Sequence, residues 1–177
     1  TAGVHIFDRT PPDQTTANNN VGAIINFRGG ALVGNKGAGQ YGINIGATYG
    51  GTLVGTYFVS LDAAFICKFC LDFRMESSRA ALNVNYGYVL SSGDWSGASV
   101  NNSQSNGSTI ANTRDCASAG QIASFYVFAS DGVRLEDAIS ECGNPQNEIL
   151  FDDGNSTTVK HFIVDNLHAE NTPAKAD

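Results

Sequence analysis

The chain lacks the features that would commit it to a membrane or to nucleic acid. It has no run of 18 or more apolar residues, which is about the length that a membrane-spanning helix needs. It also has no basic cluster: Lys and Arg total 10 against 17 Asp and Glu, and the formal net charge is -7. An acidic chain repels phosphate backbones. We therefore expect no membrane span and no nucleic-acid partner.

Motifs for nucleotides, activated nucleophiles and metals are absent as well. The glycines of segment 34–39 do not fit a phosphate loop, and no Gly-x-Ser-x-Gly elbow occurs. His5, His161 and His168 have no short spacing to each other or to the cysteines that would build a zinc site. The acidic turn at 152–155 lacks the ligand spacing of a calcium-binding EF-hand. We expect neither a metal nor a cofactor.

Cysteine is scarce, with four residues in 177: Cys67, Cys70, Cys116 and Cys142. This number does not make a disulfide-dense scaffold, and unpaired cysteines are usually buried. Cys67 and Cys70 fall in an apolar run that is typical of one strand, where a spacing of three points the two side chains to opposite faces. The prediction is four free buried thiols, with no shared zinc and no redox pair.

Charge is also scarce, because Asp, Glu, Lys and Arg make up only 15% of the chain against about a quarter in an average globular protein. Gly, Asn, Ser and Thr supply the polarity instead. Such a surface forms hydrogen bonds with sugars, water or other strands. The composition favours a protein that acts on or binds carbohydrate.

Short β-type segments fill most of the sequence. They are three to five residues long, β-branched or aromatic, and separated by glycines, as in 23–27, 31–33, 41–45, 52–54 and 57–59. Helix formers are concentrated only at 136–142. The pattern predicts an all-β protein.

One domain covers residues 1–177, because this length supports a single core of ordinary size. Segment 1–20 is typical of an edge strand followed by a loop. Segment 91–120 is rich in Ser, Gly, Asn and Ala, and it predicts a long inserted loop that carries Asp94 and Trp95.

Four short apolar segments of similar pattern each begin with a phenylalanine: Phe58, Phe73, Phe125 and Phe162. Their spacings are irregular, whereas one turn of a parallel β-helix takes roughly 20 to 30 residues. The four segments therefore predict a stack of coils with inserted loops, in which the four phenylalanine rings share one column.

The segments 130–141 and 159–171 resemble the rungs of right-handed parallel β-helix proteins of the pectin-lyase-like class, in particular bacteriophage tailspike and appendage proteins. Rungs of this class lay down a strand, turn at an Asn, and begin the next strand. The resemblance is one of pattern and covers 55–90 and 120–172. It implies a right-handed parallel β-helix, while an antiparallel β-sandwich or jelly roll remains the alternative.

The resemblance also implies a function. Members of this class form homotrimeric spikes on the virion surface or act outside the cell, where they bind and often cleave a polysaccharide of the host surface. Their helices usually exceed this length, so we expect a fragment, a cleaved portion or a small relative. The alternatives are a non-catalytic lectin-like or structural module and a secreted polysaccharide lyase.

Alignment on the four phenylalanines places Glu76, Arg79, Asp131, Asp165 and His168 on one outward surface. Glycoside hydrolysis needs two carboxylates at roughly 5 to 9.5 Å, which neighbouring coils would supply. A lyase would need a base together with a cation, for which Arg79 would serve, as would Arg134. The alternative is an ordinary solvated face.

Trp95 is the only tryptophan and follows Asp94 in a polar, flexible context. Its ring would stack on a sugar, with Asp94 beside it, or pack the loop against the body. Taken together, the sequence supports carbohydrate binding better than cleavage.

Overall fold

The structure is a computed structural model that describes residues 2–6, 24–46, 48–68, 70–91, 107–152 and 161–170. In these ranges the chain is all-β, with 18 strands in three parallel six-stranded sheets. The strands stack as a right-handed parallel β-helix. The predicted fold class is confirmed, and the antiparallel sandwich is wrong because every strand pair is parallel.

Six coils follow one another along the chain, and each contributes one strand to each sheet. The strands in chain order are β1 (Ala2–Ile6), β2 (Ile25–Arg28) and β3 (Ala31–Val33); β4 (Tyr41–Ile45), β5 (Thr48–Val54) and β6 (Tyr57–Val59); β7 (Ala63–Cys67), β8 (Cys70–Glu76) and β9 (Arg79–Ala81); β10 (Tyr86–Ser91), β11 (Thr109–Ala111) and β12 (Arg114–Cys116); β13 (Ala123–Phe128), β14 (Val133–Glu136) and β15 (Ile139–Glu141); β16 (Asn147–Asp152), β17 (Phe162–Asp165) and β18 (His168–Glu170). Sheet A contains the first strand of each coil, sheet B the second and sheet C the third.

Between successive described strands, the longest intervals in sequence each separate a sheet A strand from a sheet B strand. They run from 7 to 24, from 92 to 108 and from 153 to 161. The predicted insert at 91–120 is therefore too long, because β11 and β12 lie within it. The sequence did not predict these strands, because each has three residues and Ile110 is their only large apolar side chain in the core.

Inward-facing side chains stack in columns along the axis. In sheet B, Met75, Ile110 and Leu135 are register partners in successive coils, and all are buried. The rings of Tyr88 and Phe125 stack with centroids 5.6 Å apart. Each such buried side chain contributes roughly 1.5 to 3 kcal/mol by leaving water, so the columns hold the coils together.

The corner between sheets B and C repeats in every coil. Its first residue has a positive φ, as at Gly55 (67°), Ser77 (53°), Asn112 (47°) and Asp137 (47°). Gly, Asn and Asp tolerate this left-handed conformation better than other residues do. The amide of each donates to a carbonyl of the next coil, for example from Gly55 to Glu76 at 3.0 Å. These bonds join neighbouring coils at the same place in each turn.

The four phenylalanines do not share one column, so that prediction is wrong. Phe58 lies in sheet C, Phe73 and Phe162 in sheet B, and Phe125 in sheet A. Each of the three sheets has apolar inward positions, and Phe58, Phe73 and Phe125 are buried in different sheets. Alignment by residue type alone therefore mixes positions from different sheets.

The prediction of free thiols is also wrong, because the four cysteines form two disulfides, Cys67–Cys70 and Cys116–Cys142. Cys67 ends β7 and Cys70 begins β8, so the chain turns a corner between them and both side chains enter the core. Their Cα atoms are 5.9 Å apart. The second bridge joins adjacent coils at the edge of sheet C.

Candidate functional site

The predicted catalytic residues fall into three separate places. Glu76 and Asp165 occupy one outward column of sheet B, and Arg79 and His168 occupy one outward column of sheet C. Asp131 lies at the corner between sheets A and B. The structure therefore does not bring the five side chains together into one cluster.

Glu76 and Asp165 are far apart along their shared column. Ala111 and Glu136 lie between them, so they are three coils apart, or about 14 Å at about 4.8 Å per coil. This exceeds the roughly 5 to 9.5 Å at which two carboxylates cooperate in glycoside hydrolysis. Glu136 and Asp165, in adjacent coils, are the carboxylates of this column that lie near each other.

Charges on sheet B are largely paired with one another. Arg74 Nε lies 3.2 Å from Glu76 Oε2, and Arg134 Nη1 lies 2.8 Å from Glu136 Oε1. Arg74 also approaches Glu136 across two coils at 3.9 Å. All four side chains are partly solvated, and such pairs contribute little to stability. The face matches the solvated alternative that the sequence left open.

Asp131 interacts with His161 of the next coil. Its Oδ1 accepts hydrogen bonds from the His161 amide at 2.6 Å and from the Gly132 amide at 2.9 Å. These bonds, with the His161 backbone as the largest cause, lower the pKa of Asp131 below its usual range. The carboxylate therefore stays ionised, and its role at this corner is to hold the backbone.

Gly107, two residues before β11, also contacts this corner. The Gly107 amide donates to the Asp131 carbonyl at 3.1 Å. Asp94 and Trp95, the predicted carbohydrate-binding residues, lie outside the described residues. Their proposed contact with sugar stays a prediction.

The outer face of sheet C holds a groove of about 290 Å³. Its lining residues are Tyr57, Arg79, Ala80, Ala81, Arg114, Cys116 and Glu141. Tyr57, Arg79 and Arg114 are register partners in three successive coils, so they form a continuous ridge. The next outward column has Ala81 and Cys116 at its centre. These small side chains leave the groove beside the taller ridge.

The groove offers a ligand an aromatic ring and two guanidinium groups. Tyr57 is 44% exposed, so part of its ring is open to a ligand. Arg114 Nε lies 3.2 Å from Glu141 Oε1, which orients that guanidinium. Arg79 is exposed and has no carboxylate within ion-pair distance among the described residues. Its planar group can donate two parallel hydrogen bonds to oxygen atoms of a ligand.

Sequence reasoning found Arg79 but missed Tyr57, Arg114 and Glu141. The position of the positive-φ corner could have identified Tyr57 and Arg114. Tyr57, Arg79 and Arg114 each follow the first corner residue by two positions, after Gly55, Ser77 and Asn112. Alignment on the corner would have placed the three side chains in one column.

A larger hollow of about 440 Å³ lies at the first two coils, beside Leu32, Val33, Tyr41 and Leu61. The polar oxygen of Gln40 at its edge already accepts bonds from the Asn35 and Gly37 amides, at 3.1 and 3.3 Å. The amide oxygen that a sugar would use is therefore occupied by the loop. We favour the smaller groove on sheet C for its open polar groups.

Among the described carboxyl groups, Asp115 has a raised pKa, yet it faces the interior. Burial raises its pKa to about 7, against hydrogen bonds from Ser124 and Gln121 that lower it. It is fully buried, so a ligand on the outer face cannot reach it. Its raised pKa would suit a general acid, but its burial keeps it out of contact with any ligand on the surface.

No family model, curated protein or solved structure matches the chain. Among the described residues, no group of three or more His, Cys, Asp or Glu side chains is placed to hold a metal ion. The described part of the chain also contains no helix that could span a membrane. Function is therefore inferred from the fold and from the groove.

Proposed function

We propose that this protein binds polysaccharide, and that the groove on sheet C is its binding site. The observation that carries the proposal is the ridge of Tyr57, Arg79 and Arg114 in three successive coils beside a small-residue floor. The β-helix fold, which is common in polysaccharide-binding and polysaccharide-degrading proteins, supports it.

The chemistry of the ridge suits a sugar chain. An exposed aromatic ring offers an apolar face to the C–H face of a sugar ring. The guanidinium groups donate hydrogen bonds to hydroxyl or carboxylate oxygens. Because the ridge follows the axis with a contact about every 4.8 Å, it suits an extended chain better than a compact small molecule.

The finer proposal is a tailspike-like receptor-binding domain that attaches a virus to a host-surface polysaccharide, as a homotrimer on the virion surface or otherwise outside the cell. Its support is the rung pattern of 130–141 and 159–171. The two disulfides also support it, since such bonds persist in oxidising surroundings such as virion surfaces and secreted proteins.

Binding is tested by isothermal titration with a panel of neutral and uronate-containing bacterial surface polysaccharides. We expect Tyr57→Ala and Arg79→Ala each to weaken binding about tenfold, the loss of one good contact at about 1.4 kcal/mol. Arg74→Ala, a matched change on sheet B, should leave affinity unchanged. Equal losses in all three variants, or no binding by the wild type, would refute the proposal.

Cleavage by this domain is a separate proposal, in which Asp165 acts with Glu136, the neighbouring carboxylate of the same column. The other predicted residues, Glu76, Asp131, Arg79 and His168, lie elsewhere and are not part of it. Cleavage is tested by release of reducing ends, and by the absorbance of an unsaturated product for lyase action. Loss of release in Asp165→Asn with binding intact would support hydrolysis. No release by the wild type from any polysaccharide that it binds would leave a binding protein only.

A further inference from the structure

Two arginines stand next to each other in the ridge of sheet C. Arg79 and Arg114 are register partners in adjacent coils, so their strands lie about 4.8 Å apart. Among the described strands they are the only two cationic side chains that are register partners. Like charges placed opposite each other on neighbouring strands destabilise a sheet. Anionic groups beside the two guanidiniums offset that cost.

The described residues supply one carboxylate for these two cations. Arg114 Nε lies 3.2 Å from Glu141 Oε1, so that guanidinium is neutralised within the protein. Arg79 is exposed, and no carboxylate of the described residues lies within ion-pair distance of it. The second anion is therefore missing at Arg79.

Sheet B shows how the same arrangement is neutralised elsewhere in the fold. Its outward arginines, Arg74 and Arg134, each form an ion pair with the glutamate two positions later on the same strand. The residue two positions after Arg79 is Ala81, which lines the groove. The position that holds a carboxylate on sheet B thus holds a methyl group on sheet C, and an anionic group of a ligand has room beside Arg79.

The outward column beside the ridge changes character along the axis. Its members in coil order are Val33, Val59, Ala81, Cys116, Glu141 and Glu170. The ridge itself begins with Ala31 and Tyr57 in the first two coils. A ligand therefore meets no cation of these two columns in the first two coils, and it meets carboxylates in the last two.

We propose that the polysaccharide bound in this groove is acidic but sparsely charged, with one carboxylate on Arg79 and neutral sugars on either side. This inference rests on the proposed function, because it names the class of ligand for the same site. The carboxylate accepts two parallel hydrogen bonds from the guanidinium. A further carboxylate toward the first coil loses water without gaining a cation, and one toward the last coil faces Glu170. The net charge of -7 adds a long-range repulsion against a densely charged polymer.

Isothermal titration with polymers of different charge density tests this inference. The named probes are oligosaccharides of uncharged dextran, of gellan, in which isolated uronates lie among neutral sugars, and of polygalacturonate, in which every sugar is a uronate. Each bacterial surface polysaccharide that binds is added to this set. We expect the tightest binder to have isolated uronates, and dextran and polygalacturonate to bind at least tenfold more weakly, the loss of one good charge-assisted contact.

Chemical reduction of the carboxyl groups provides a matched ligand. Carbodiimide activation followed by borohydride turns each carboxylate into a hydroxymethyl group and leaves the rest of the sugar chain intact. We expect this change to weaken the tightest binder at least tenfold. The titrations are run at pH 8, at which imidazole groups are ordinarily neutral, because His168 Nε2 lies 3.5 Å from Glu170 Oε2.

Two variants and one control locate the effect on the protein. Arg79→Gln keeps a polar side chain without its charge, so it should bind the native and the reduced polysaccharide equally. Arg74→Gln, the matched change on sheet B, should keep the wild-type preference. Glu170→Gln should tighten polygalacturonate about twofold, the size of one exposed charge interaction, and leave dextran unchanged.

The outcomes separate this inference from the proposed function. No binding by any polysaccharide refutes both. Binding that is as tight for dextran, for polygalacturonate or for the reduced polysaccharide overturns the charge selectivity, although the groove still binds polysaccharide. So does a preference that survives in Arg79→Gln, or a Glu170→Gln variant whose affinity for polygalacturonate equals that of the wild type.

Discussion

Asp115 should make the stability of this protein depend on pH. It faces inward from β12 between Ala80 and Ser140 of the adjacent coils, and its Oδ2 accepts a hydrogen bond from Gln121. Among the described residues, its Oδ1 has no hydrogen-bond partner. Burial disfavours the ionised form most, and raises the pKa from 3.8 to about 7.

The sign of the effect follows from proton binding. Between pH 3.8 and about 7 the folded protein holds a proton on Asp115 that the unfolded chain has lost, so folding is favoured by low pH. The contribution is complete below the unfolded pKa and disappears as pH rises through the folded one. Its full size is about 4 kcal/mol, of which about 3 kcal/mol falls between pH 5 and pH 8.

Urea unfolding of the oxidised protein at pH 5 and pH 8 measures this difference. We expect the wild type to lose about 3 kcal/mol more than Asp115→Asn does between these two values. The variant keeps the shape of the side chain without its titration. Equal pH slopes in the wild type and Asp115→Asn would refute the reasoning.

Three further predictions concern stability and are read by urea unfolding at pH 7. Leu135→Ala, in a fully buried column, should cost about 3 kcal/mol, and a cost under 1 kcal/mol would contradict the stacked core. Gly55→Ala meets no atom within 4 Å but has a φ of 67°, so we expect a cost of about 1 to 2 kcal/mol from the backbone alone; no cost would argue against that corner. Replacement of Cys116 and Cys142 by Ala opens a 26-residue separation and should cost about 3 to 4 kcal/mol, whereas unchanged stability would mean that the bridge is absent.

Much of the fold could be predicted because the coil has a local signature. In β14 and β15, Val133 and Leu135 face inward, Arg134 faces outward, and Asp137 turns the corner before Ile139. Alternation and a residue that tolerates positive φ are visible in sequence. The all-β, parallel-stacked interpretation of 120–172 is confirmed for the described residues of that range.

The column assignments failed where the signal was ambiguous. Phe58 and Phe125 are both buried aromatic residues, yet they belong to different sheets, and only the corner positions distinguish them. The pairing of Cys67 with Cys70 depended on the bend at the corner, which an uninterrupted apolar run hides. Pairing of Cys116 with Cys142 depended on the register of two coils 26 residues apart.

Only part of the candidate site could be predicted, because the alignment on phenylalanines mixed columns of different sheets. Arg79 was selected for its charge and does line the groove, but Glu76 and Asp165 were grouped with it by the incorrect alignment. Tyr57 and Arg114 join Arg79 only through parallel pairing of neighbouring coils. Long-range register of this kind is a property of the folded chain.

Amide chemical-shift mapping tests the central claim, that the sheet C groove binds polysaccharide. The isotope-labelled protein is titrated with oligosaccharides released from whichever surface polysaccharide it binds. We predict that the largest shifts fall on Tyr57, Arg79 and Arg114, with little change at Arg74 and Arg134 on sheet B. Shifts confined to sheet B, or saturable binding that leaves all three groove amides unmoved, would contradict the account.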